Sequence, residues 1–220
     1  MKINIAIDGP GAAGKSTISK LLAERLGYVY LDTGAMYRCC AYEAFQKGID
    51  IDDEKQLQQL MDHIKITFDD FQHVYVNGED VSSEIRTNEN GMRASLISQK
   101  ALVRIKLVEK QREIAAQKGC ILDGRDIGTV VLPDAELKIY LVASVESRAM
   151  RRYQELMKKG LQANLEEISA DLKQRDYIDM HREHSPLQKA EDAIEVDTSH
   201  MSIEEVCTTI MQLIEGVIRK

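Results

Sequence analysis

The sequence lacks the cysteine patterns that mark metal centres and disulfide frameworks. Its four cysteines, Cys39, Cys40, Cys120 and Cys207, form no Cys-x-x-Cys pair and no Cys/His pattern at ligand spacing. Two of them are adjacent in the chain, which suits neither a disulfide framework nor a zinc site. We therefore predict reduced thiols, as expected of a cytoplasmic protein.

Long apolar runs and an excess of basic residues are also missing. The first apolar run stops at Asp8, so no secretion signal is expected, and no stretch is long enough to span a membrane. The chain has 29 Lys and Arg against 36 Asp and Glu, a net charge of −7. Such an acidic balance disfavours a nucleic acid or an anionic membrane as partner, although a local basic cluster can still hold small phosphates. No internal repeat appears, and 220 residues suit one α/β domain with a small insertion.

A glycine-rich stretch near the N-terminus has the pattern of a phosphate-binding loop. It follows the apolar residues 3–7 and precedes a helical pattern over 17–26, so it lies on a strand-to-helix turn. Its glycines allow successive backbone N–H groups to point at one anion. We expect Lys15 to reach the β- and γ-phosphates of a nucleoside triphosphate and Ser16 to ligate the accompanying Mg²⁺. The stretch consists of Gly9, Pro10, Gly11, Ala12, Ala13, Gly14, Lys15, Ser16 and Thr17.

Two later segments place polar residues at the ends of predicted strands. Asp32 and Thr33 follow the apolar run 28–31, where they are either an ordinary helix cap or part of a ligand site. The segment 123–126, Asp-Gly-Arg-Asp, follows the strand 120–122 and begins with the aspartate of a loose Walker B pattern. Its arginine between two carboxylates indicates a site, with an internal salt bridge as the alternative.

Two helices carry arginines whose role the pattern leaves open. In the helix that begins at Val145, Arg148, Arg151 and Arg152 lie off the apolar stripe, as a solvated face or as charge clamps for a phosphoryl group. The helix from 165 to about 184 has one face that turns from apolar to charged, which indicates either entry into a polar cleft or exposed ion pairs. That face comprises Leu165, Ile168, Leu172, Arg175, Asp179 and Arg182.

The remaining pattern predicts an α/β architecture with one antiparallel insertion. Alternating apolar residues and the Asn77-Gly78 turn signal predict a β-hairpin within 63–86. Residues 88–118 read as two helices, in which pattern alone makes Arg104 a solvated arginine. Further strands are expected at 137–142 and 193–196, and His181 and His184 are expected to be solvated because no other ligands accompany them.

Five stretches together resemble the nucleoside monophosphate kinases, and most closely the bacterial cytidylate kinases. They follow the order of that family over the length of the chain, and the DGRDIGTVV segment with the hairpin insertion is specific to this branch. The stretches are GPGAAGKST at 9–17, LDTGAMYR at 31–38, NGEDVSSEIRT at 77–87, LDGRDIGTVVLPDA at 122–135, and the charged residues of 175–182.

The resemblance implies a fold, a reaction and an ATP site. The fold is the P-loop NTPase fold, with a five-stranded parallel sheet flanked by helices, a core of residues 1–62 and 87–220, an antiparallel insertion at 63–86 and a short lid at 151–166. The reaction is transfer of the γ-phosphate of ATP to CMP or dCMP with Mg²⁺, and residues 9–17 bind the ATP. Lys15, Arg125, Arg148, Arg151 and Arg152 neutralise the transferring group.

The resemblance also implies an acceptor site. Phosphate or sugar contacts fall to Thr33, Arg38, Arg125 and Arg182, and the cytosine is read by Ser95, Arg104 and Asp126. Arg175 and Asp179 lie at the ribose. Some relatives have serine where this chain has Thr33, and both residues keep the hydroxyl. We expect a monomer, since no long apolar stripe is left over.

Two other classes of function stay open at this stage. Another small P-loop kinase would share the loop but not the hairpin and the Asp-Gly-Arg-Asp segment. A nucleotide-dependent switch would need a base-reading motif such as Asn-Lys-x-Asp, and the chain contains no Asn-Lys pair.

Overall fold

The chain forms two compact units. In the computed structural model, residues 2–69 and 72–219 are described. One unit, here the core unit, comprises residues 1–31 and 114–220; the other, here the inserted unit, comprises residues 32–113. The predicted boundaries of core, insertion and lid stay predictions, and residues 70 and 71 of the predicted insertion lie outside the described part.

The elements alternate along the chain as an α/β pattern requires. The strands are β1 (Ile5–Asp8), β2 (Val29–Asp32), β3 (Ile66–Phe68), β4 (Val74–Val76), β5 (Glu79–Asp80), β6 (Cys120–Gly124), β7 (Leu137–Val142) and β8 (Ile194–Asp197). The helices are α1 (Lys15–Leu26), α2 (Thr33–Gln46), α3 (Glu54–His63), α4 (Asn88–Ile97), α5 (Ala101–Ala115), α6 (Val145–Lys158), α7 (Leu165–His181) and α8 (Ile203–Ile218). A 3-10 turn spans Glu84–Arg86 and a π-helical turn spans Ile127–Val131.

The five-stranded parallel sheet and its flanking helices confirm the predicted fold. Its strand order is β2-β6-β1-β7-β8, with β1 at the centre. Strand β1 pairs in parallel with β6 and β7, in a register that sets Asp8 beside Gly124 and Tyr140. Because the strands are parallel, the loops after β1 and β6 leave from the same edge, where open α/β sheets bind ligands.

The core of this unit lies between the sheet and two of its helices. Ile5 and Ile7 of β1 are fully buried, as near-continuous apolar strands of a parallel sheet should be. They belong to one apolar cluster with Leu22 of α1 and with Ile210 and Ile214 of α8. This packing holds α1 against the sheet, and so fixes the position of its N-terminus next to the loop that connects β1 to α1.

The inserted unit contains the predicted antiparallel element. Its three short strands pair in the order β3-β4-β5. Asn77 and Gly78 connect β4 to β5 with φ of 53° and 90°, the positive angles that a two-residue hairpin turn of this type requires. The two-helix reading of 88–118 is confirmed by α4 and α5.

Two helix ends differ from the expectation, each for a local reason. The sequence pattern predicts a helix from Ala35 to Lys47, whereas α2 begins at Thr33, because the Asp32 carboxylate accepts a hydrogen bond from the Ala35 amide at 2.8 Å. Helix α7 ends at His181 rather than near 184. The chain turns away through Ser185, with φ of 51°, and Pro186, which disfavours helix in the residue before it.

Other expectations from composition can be compared with the structure directly. The four cysteines are buried and free of disulfides. Within the described residues there is no cluster of His, Cys, Asp and Glu able to hold a metal ion, and His181 and His184 are exposed, as predicted. None of the helices in the described part of the chain combines the length and apolar character needed to cross a bilayer.

Helix α8 offers a matched pair of isoleucines for testing the core. Ile210 is completely buried, whereas Ile203 is 55% exposed. We expect Ile210→Ala to lower the free energy of unfolding by about 2–5 kcal/mol, because it leaves a cavity against the sheet. Ile203→Ala should cost less than about 0.5 kcal/mol. Urea denaturation of both variants measures this, and equal losses would contradict the assignment of α8 to the core.

Candidate active site

The loop between β1 and α1 has a backbone that exposes its amides. Gly9 has φ of 146°, and a Cβ atom there would lie 2.1 Å from the Leu141 carbonyl oxygen, so only glycine fits. Gly14 caps α1 in the left-handed conformation, with φ of 94°. The amides of the first turn of α1 therefore open onto the loop together with the positive end of the helix dipole.

Lys15 is buried and turned back over this loop. Its Nζ donates to the carbonyl oxygens of Gly9 at 2.8 Å and of Pro10 at 2.7 Å. Burial, followed by the charge of Arg125, lowers the pKa of Lys15 to about 7, against the opposing effect of Asp123. The ammonium group thus lies where positive charge is disfavoured unless an anion joins it.

Ser16 is linked to the predicted Walker B aspartate. Its Oγ donates to one carboxylate oxygen of Asp123 at 2.8 Å, and the Tyr30 hydroxyl donates to the other at 3.0 Å. Asp123 lies in β6 next to β1 and is only 3% exposed. A hydroxyl and a carboxylate held together at a phosphate loop are hard oxygen donors of the type that Mg²⁺ prefers.

Aspartates hold two arginines of the core unit. Arg125 Nε donates to Asp179 of α7 at 2.8 Å, and Arg182 Nη2 lies 3.5 Å from Asp126 Oδ1. Burial alone would raise the pKa of Asp179, but the neighbouring guanidiniums of Arg125, Arg175 and Arg182 together hold it below its usual range. The sequence left open a salt bridge of Arg125 to an aspartate of its own segment, 123–126. Instead, Arg125 pairs with Asp179 and Asp126 pairs with Arg182, each more than 50 positions away in sequence. The charged face of α7 enters the interior, as one of the two readings predicted.

Arg175 lies on the same face of α7 but is less well compensated. Its Nε atom is buried and has no hydrogen-bond partner among the described residues. Burial, followed by the charge of Arg125, lowers the pKa of Arg175 to about 10. Lys15 and the half-buried Arg175 are thus two cations near the phosphate loop whose pKa values are lowered by loss of hydration and by the charge of Arg125.

The three arginines of α6 have three different environments. Arg148 is 4% exposed and donates to Asp176 at 2.6 Å and to the Gly11 carbonyl oxygen at 3.1 Å. Arg151 donates to the Thr198 hydroxyl at 3.0 Å, and Arg152 forms an outward ion pair with Glu155. The interpretation of all three as one solvated face is wrong, because the Arg148 side chain is enclosed between α6, α7 and the loop.

The inserted unit brings its own predicted residues together. Asp32 pairs with Arg86 at 2.7 Å, and Arg38 donates to the Ile85 carbonyl oxygen at 2.8 Å. Asn90, 2% exposed, donates to the carbonyl oxygens of Arg38 and Ile85. Burial alone would raise the pKa of Asp32, but the neighbouring guanidinium of Arg86 keeps it below its ordinary value.

Arg104 and Ser95 lie in a second part of the inserted unit. Both are buried, at 5% and 3% exposure, and Arg104 donates to the Ser98 carbonyl oxygen at 3.3 Å. The Arg104 guanidinium also lies 5.4 Å from the centre of the Tyr37 ring. The expectation from helical pattern that Arg104 is solvated is wrong, because a carbonyl and an aromatic ring enclose it. Thr33 is also buried, at 3% exposure.

Sequence reasoning gave no role to three residues that contact the candidate residues. Asp176 pairs with Arg148 and accepts a hydrogen bond from the Gly11 amide at 3.4 Å. Arg86 pairs with Asp32, and Asp8 contacts the turn after Asp126. Asp176 lies four residues after Leu172, so the helical period places it near the charged face. Arg86 lies within the 77–87 stretch.

The family comparison covers nearly the whole chain. A model of the family described as cytidylate kinase matches residues 5–216. Proteins named cytidylate kinase from Bacillus cereus (strain ATCC 10987 / NRS 248) and Bacillus cytotoxicus are each 51% identical over 222 residues. These alignments cover 100% of this chain and 99% of each relative.

Solved structures with much lower sequence identity share the fold. A gluconokinase from Sinorhizobium meliloti 1021 has a TM-score of 0.52 at 13% identity, covering 99% of this chain and 93% of that one. An unliganded sugar kinase from Janibacter sp. HTCC2649 has a TM-score of 0.50 at 13% identity, covering 98% and 95%. With the phosphate loop, the paired arginines and the full-length match in place, this chain belongs to the cytidylate kinase family.

Proposed function

We propose that this chain is a nucleoside monophosphate kinase that transfers the γ-phosphate of ATP to CMP and dCMP. Apart from family membership, the main support for the proposal is the pair of cations near the phosphate loop, Lys15 and Arg175. Lys15 is buried there and Arg175 is half-buried, and the pKa values of both are lowered by loss of hydration and by the charge of Arg125. A polyphosphate supplies negative charge, so binding it is favourable on electrostatic grounds.

ATP binds through residues 9–17 in this proposal. The backbone amides of the loop and of the first turn of α1 hold the phosphates, and Lys15 exchanges its two carbonyl contacts for phosphate oxygens. Ser16 and Asp123 are the residues that would hold Mg²⁺, Ser16 directly. A Mg²⁺ ion held there would supply positive charge next to the phosphates. The loop 197–199 lies beside the adenine.

The proposed CMP contacts are assigned residue by residue, within each unit separately. In the inserted unit, Thr33 and Arg38 bind the phosphate, and Arg104 and Ser95 bind cytosine. In the core unit, Arg125 and Arg182 contact the phosphate or the sugar, and Arg175 and Asp179 contact the ribose. Asp126 contacts the cytosine. The aspartate partners of Arg125 and Arg182 hold these guanidiniums in fixed directions before the nucleotide arrives.

No general base is needed for the reaction. The CMP phosphate is already ionised, so one of its oxygens can attack the γ-phosphate in line without first losing a proton. Catalysis then consists of alignment and of stabilising negative charge by Lys15, Arg125, Arg151 and Arg152. This agrees with a buried cluster of cations in a protein whose net charge is −7.

Arg148 has a different role from the other two arginines of α6. Its contacts with Asp176, Gly11 and Ala143 use its Nε and one terminal nitrogen, Nη1. We assign it to anchoring the loop against α6 and α7. Arg151 and Arg152 are assigned to the transferring phosphoryl group.

The donor and acceptor order of the base explains the preference for cytosine. Cytosine presents N3 and O2 as acceptors and its 4-amino group as donor, which suits Arg104 on one edge and Asp126 or Ser95 on the other. Uracil reverses the pattern at N3 and at position 4. UMP would therefore leave buried polar groups facing like partners.

An acceptor panel tests the proposed function. ADP production from Mg-ATP is measured with CMP, dCMP, UMP, AMP and no acceptor. We expect rapid turnover with CMP and dCMP, and a kcat/KM for UMP lower by a factor on the order of 10²–10³ because of the unpaired groups. Equal turnover with UMP or AMP would refute the account of base recognition. Slow hydrolysis indifferent to every acceptor would refute the kinase proposal and favour a nucleotide switch.

The α6 arginines give a test that separates anchoring from catalysis. Arg148→Met should lower the free energy of unfolding by about 3–5 kcal/mol, since it leaves Asp176 buried without its cation. The double variant Arg148→Met/Asp176→Asn should recover part of this loss. Arg151→Met and Arg152→Met should lower kcat at least tenfold, with losses of stability below about 1 kcal/mol.

Urea denaturation and steady-state kinetics on the four variants provide both readouts. If the Arg151 and Arg152 variants turned over at the rate of the parent protein, the clamp assignment would be wrong. If Arg148→Met were as stable as the parent, the anchoring assignment would be wrong.

A further inference from the structure

Asp8 ends β1 in a position where its carboxylate accepts two backbone hydrogen bonds. The Ile127 amide donates to one oxygen at 2.8 Å and the Gly128 amide donates to the other at 2.7 Å. Asp8 is 4% exposed and is separated from these residues by about 120 positions in sequence. The carboxylate therefore ties the central strand to the turn that follows Asp126.

The two amides belong to a turn that cannot satisfy them itself. Ile127–Val131 forms a single π-helical turn, and the first amides of any helical segment have no acceptor within it. The other end of the turn is closed internally, because the amides of Val130 and Val131 donate to the Asp126 carbonyl oxygen. Asp8 thus supplies the missing acceptors at the start of a rare type of turn that is often found at functional sites.

The backbone at Gly128 packs closely against Lys138 and Asp8. A Cβ atom at Gly128 would lie 3.1 Å from the Cδ atom of Lys138 and 3.4 Å from the Asp8 carboxylate. The two amide hydrogen bonds and this close packing together hold the backbone of the turn against Asp8. A small shift of this backbone would move Asp126, the residue immediately before the turn.

We propose that Asp8 is a positioning residue that fixes the direction of the Asp126 carboxylate, and hence the recognition of the cytosine base, through the amides of Ile127 and Gly128. This rests on the proposed role of Asp126 as a base-reading residue. Asp8 itself contacts neither nucleotide in this account.

The positioning requires an ionised carboxylate, because both oxygens must accept. A protonated Asp8 would direct an O–H group at an N–H donor, and an asparagine would direct its NH₂ group there. Burial raises the pKa of Asp8 to about 6, and the charge of Asp126 also raises it, while the two amides and Lys15 lower it. From β7, Tyr140 and Lys138 also face this region. Protonation near pH 6 should therefore release the turn.

Asp8→Asn is the test variant, with Asp134→Asn as its matched control. Asp134 is exposed and lies shortly after the same turn. We expect Asp8→Asn to lower kcat/KM for CMP about 100-fold at pH 8 and to reduce the preference for CMP over UMP at least tenfold. The KM for ATP should change less than the KM for CMP. Asp134→Asn should match the parent protein throughout.

The pH dependence separates positioning from a general loss of structure. The ratio of kcat/KM for the parent to that for Asp8→Asn should shrink as pH falls from 8 to 5, since the parent loses its own carboxylate charge. Ionisation of the CMP phosphate affects both proteins alike and cancels in the ratio. Lys15 also titrates within this range, with a pKa of about 7, and both proteins retain it, so the change of the ratio below pH 7 is the part assigned to Asp8. A ratio that stays constant from pH 8 to pH 5 would overturn the proposal.

An Asp126→Asn variant distinguishes failure of this inference from failure of the proposed role of Asp126. If Asp126→Asn loses the preference for CMP while Asp8→Asn retains it, the positioning role is refuted and the base-reading role stands. If Asp126→Asn retains the preference, the base-reading role is refuted and with it the effect of Asp8 on specificity.

A measurement on the parent protein covers the case in which Asp8→Asn does not fold. In amide proton and nitrogen NMR spectra, the Ile127 and Gly128 amides should shift together with a midpoint near pH 6, as their common acceptor gains a proton. The absence of any inflection between pH 5 and pH 7 in these two amides would overturn the proposal.

Discussion

The site depends on a local shortage of negative charge. Lys15 is buried and Arg175 is half-buried near Arg125, and loss of hydration together with the charge of that third cation lowers the pKa of both. Positive charge in such surroundings is unfavourable until an anion joins it, so the free energy stored there favours binding of a polyphosphate. The remaining guanidiniums can be buried because aspartates face them, as Asp179 faces Arg125. In this account the aspartates fix the orientation of the guanidiniums, and Lys15 and Arg175 favour binding of the polyphosphate.

The parallel sheet explains how these charges come to one place. Strand β1 is central and β6 is its neighbour, so the phosphate loop after β1 and the Asp123–Asp126 segment at the end of β6 lie at the same edge of the sheet. The β1–β6 register puts Asp8 beside Gly124, and the Asp8 carboxylate reaches onward to the turn after Asp126. The Asp8 carboxylate thus accepts hydrogen bonds from the backbone of the turn. Asp123, on the neighbouring strand, accepts a hydrogen bond from Ser16 instead.

Sequence reasoning found what short-range patterns encode. The loop, the strand ends and the Asn77-Gly78 turn were predictable because a few adjacent residues determine them. The pairing of Arg125 with Asp179 was not, since either flanking aspartate was an equally good partner in sequence. Pattern alone also made Arg104 solvated, because helical spacing cannot reveal a carbonyl such as that of Ser98 closing over a guanidinium. Tertiary contacts decided both.

The ionisation of Lys15 tests the charge argument most directly. Lysine labelled with ¹³C at Cε can be titrated by NMR, with the Lys15 signal identified by its loss in Lys15→Arg. The account predicts a midpoint near pH 7 in the free protein. Bound ADP should raise this midpoint by more than about one pH unit, because its phosphates supply the missing negative charge. A midpoint near the ordinary lysine value of 10.5, unmoved by ADP, would contradict the account.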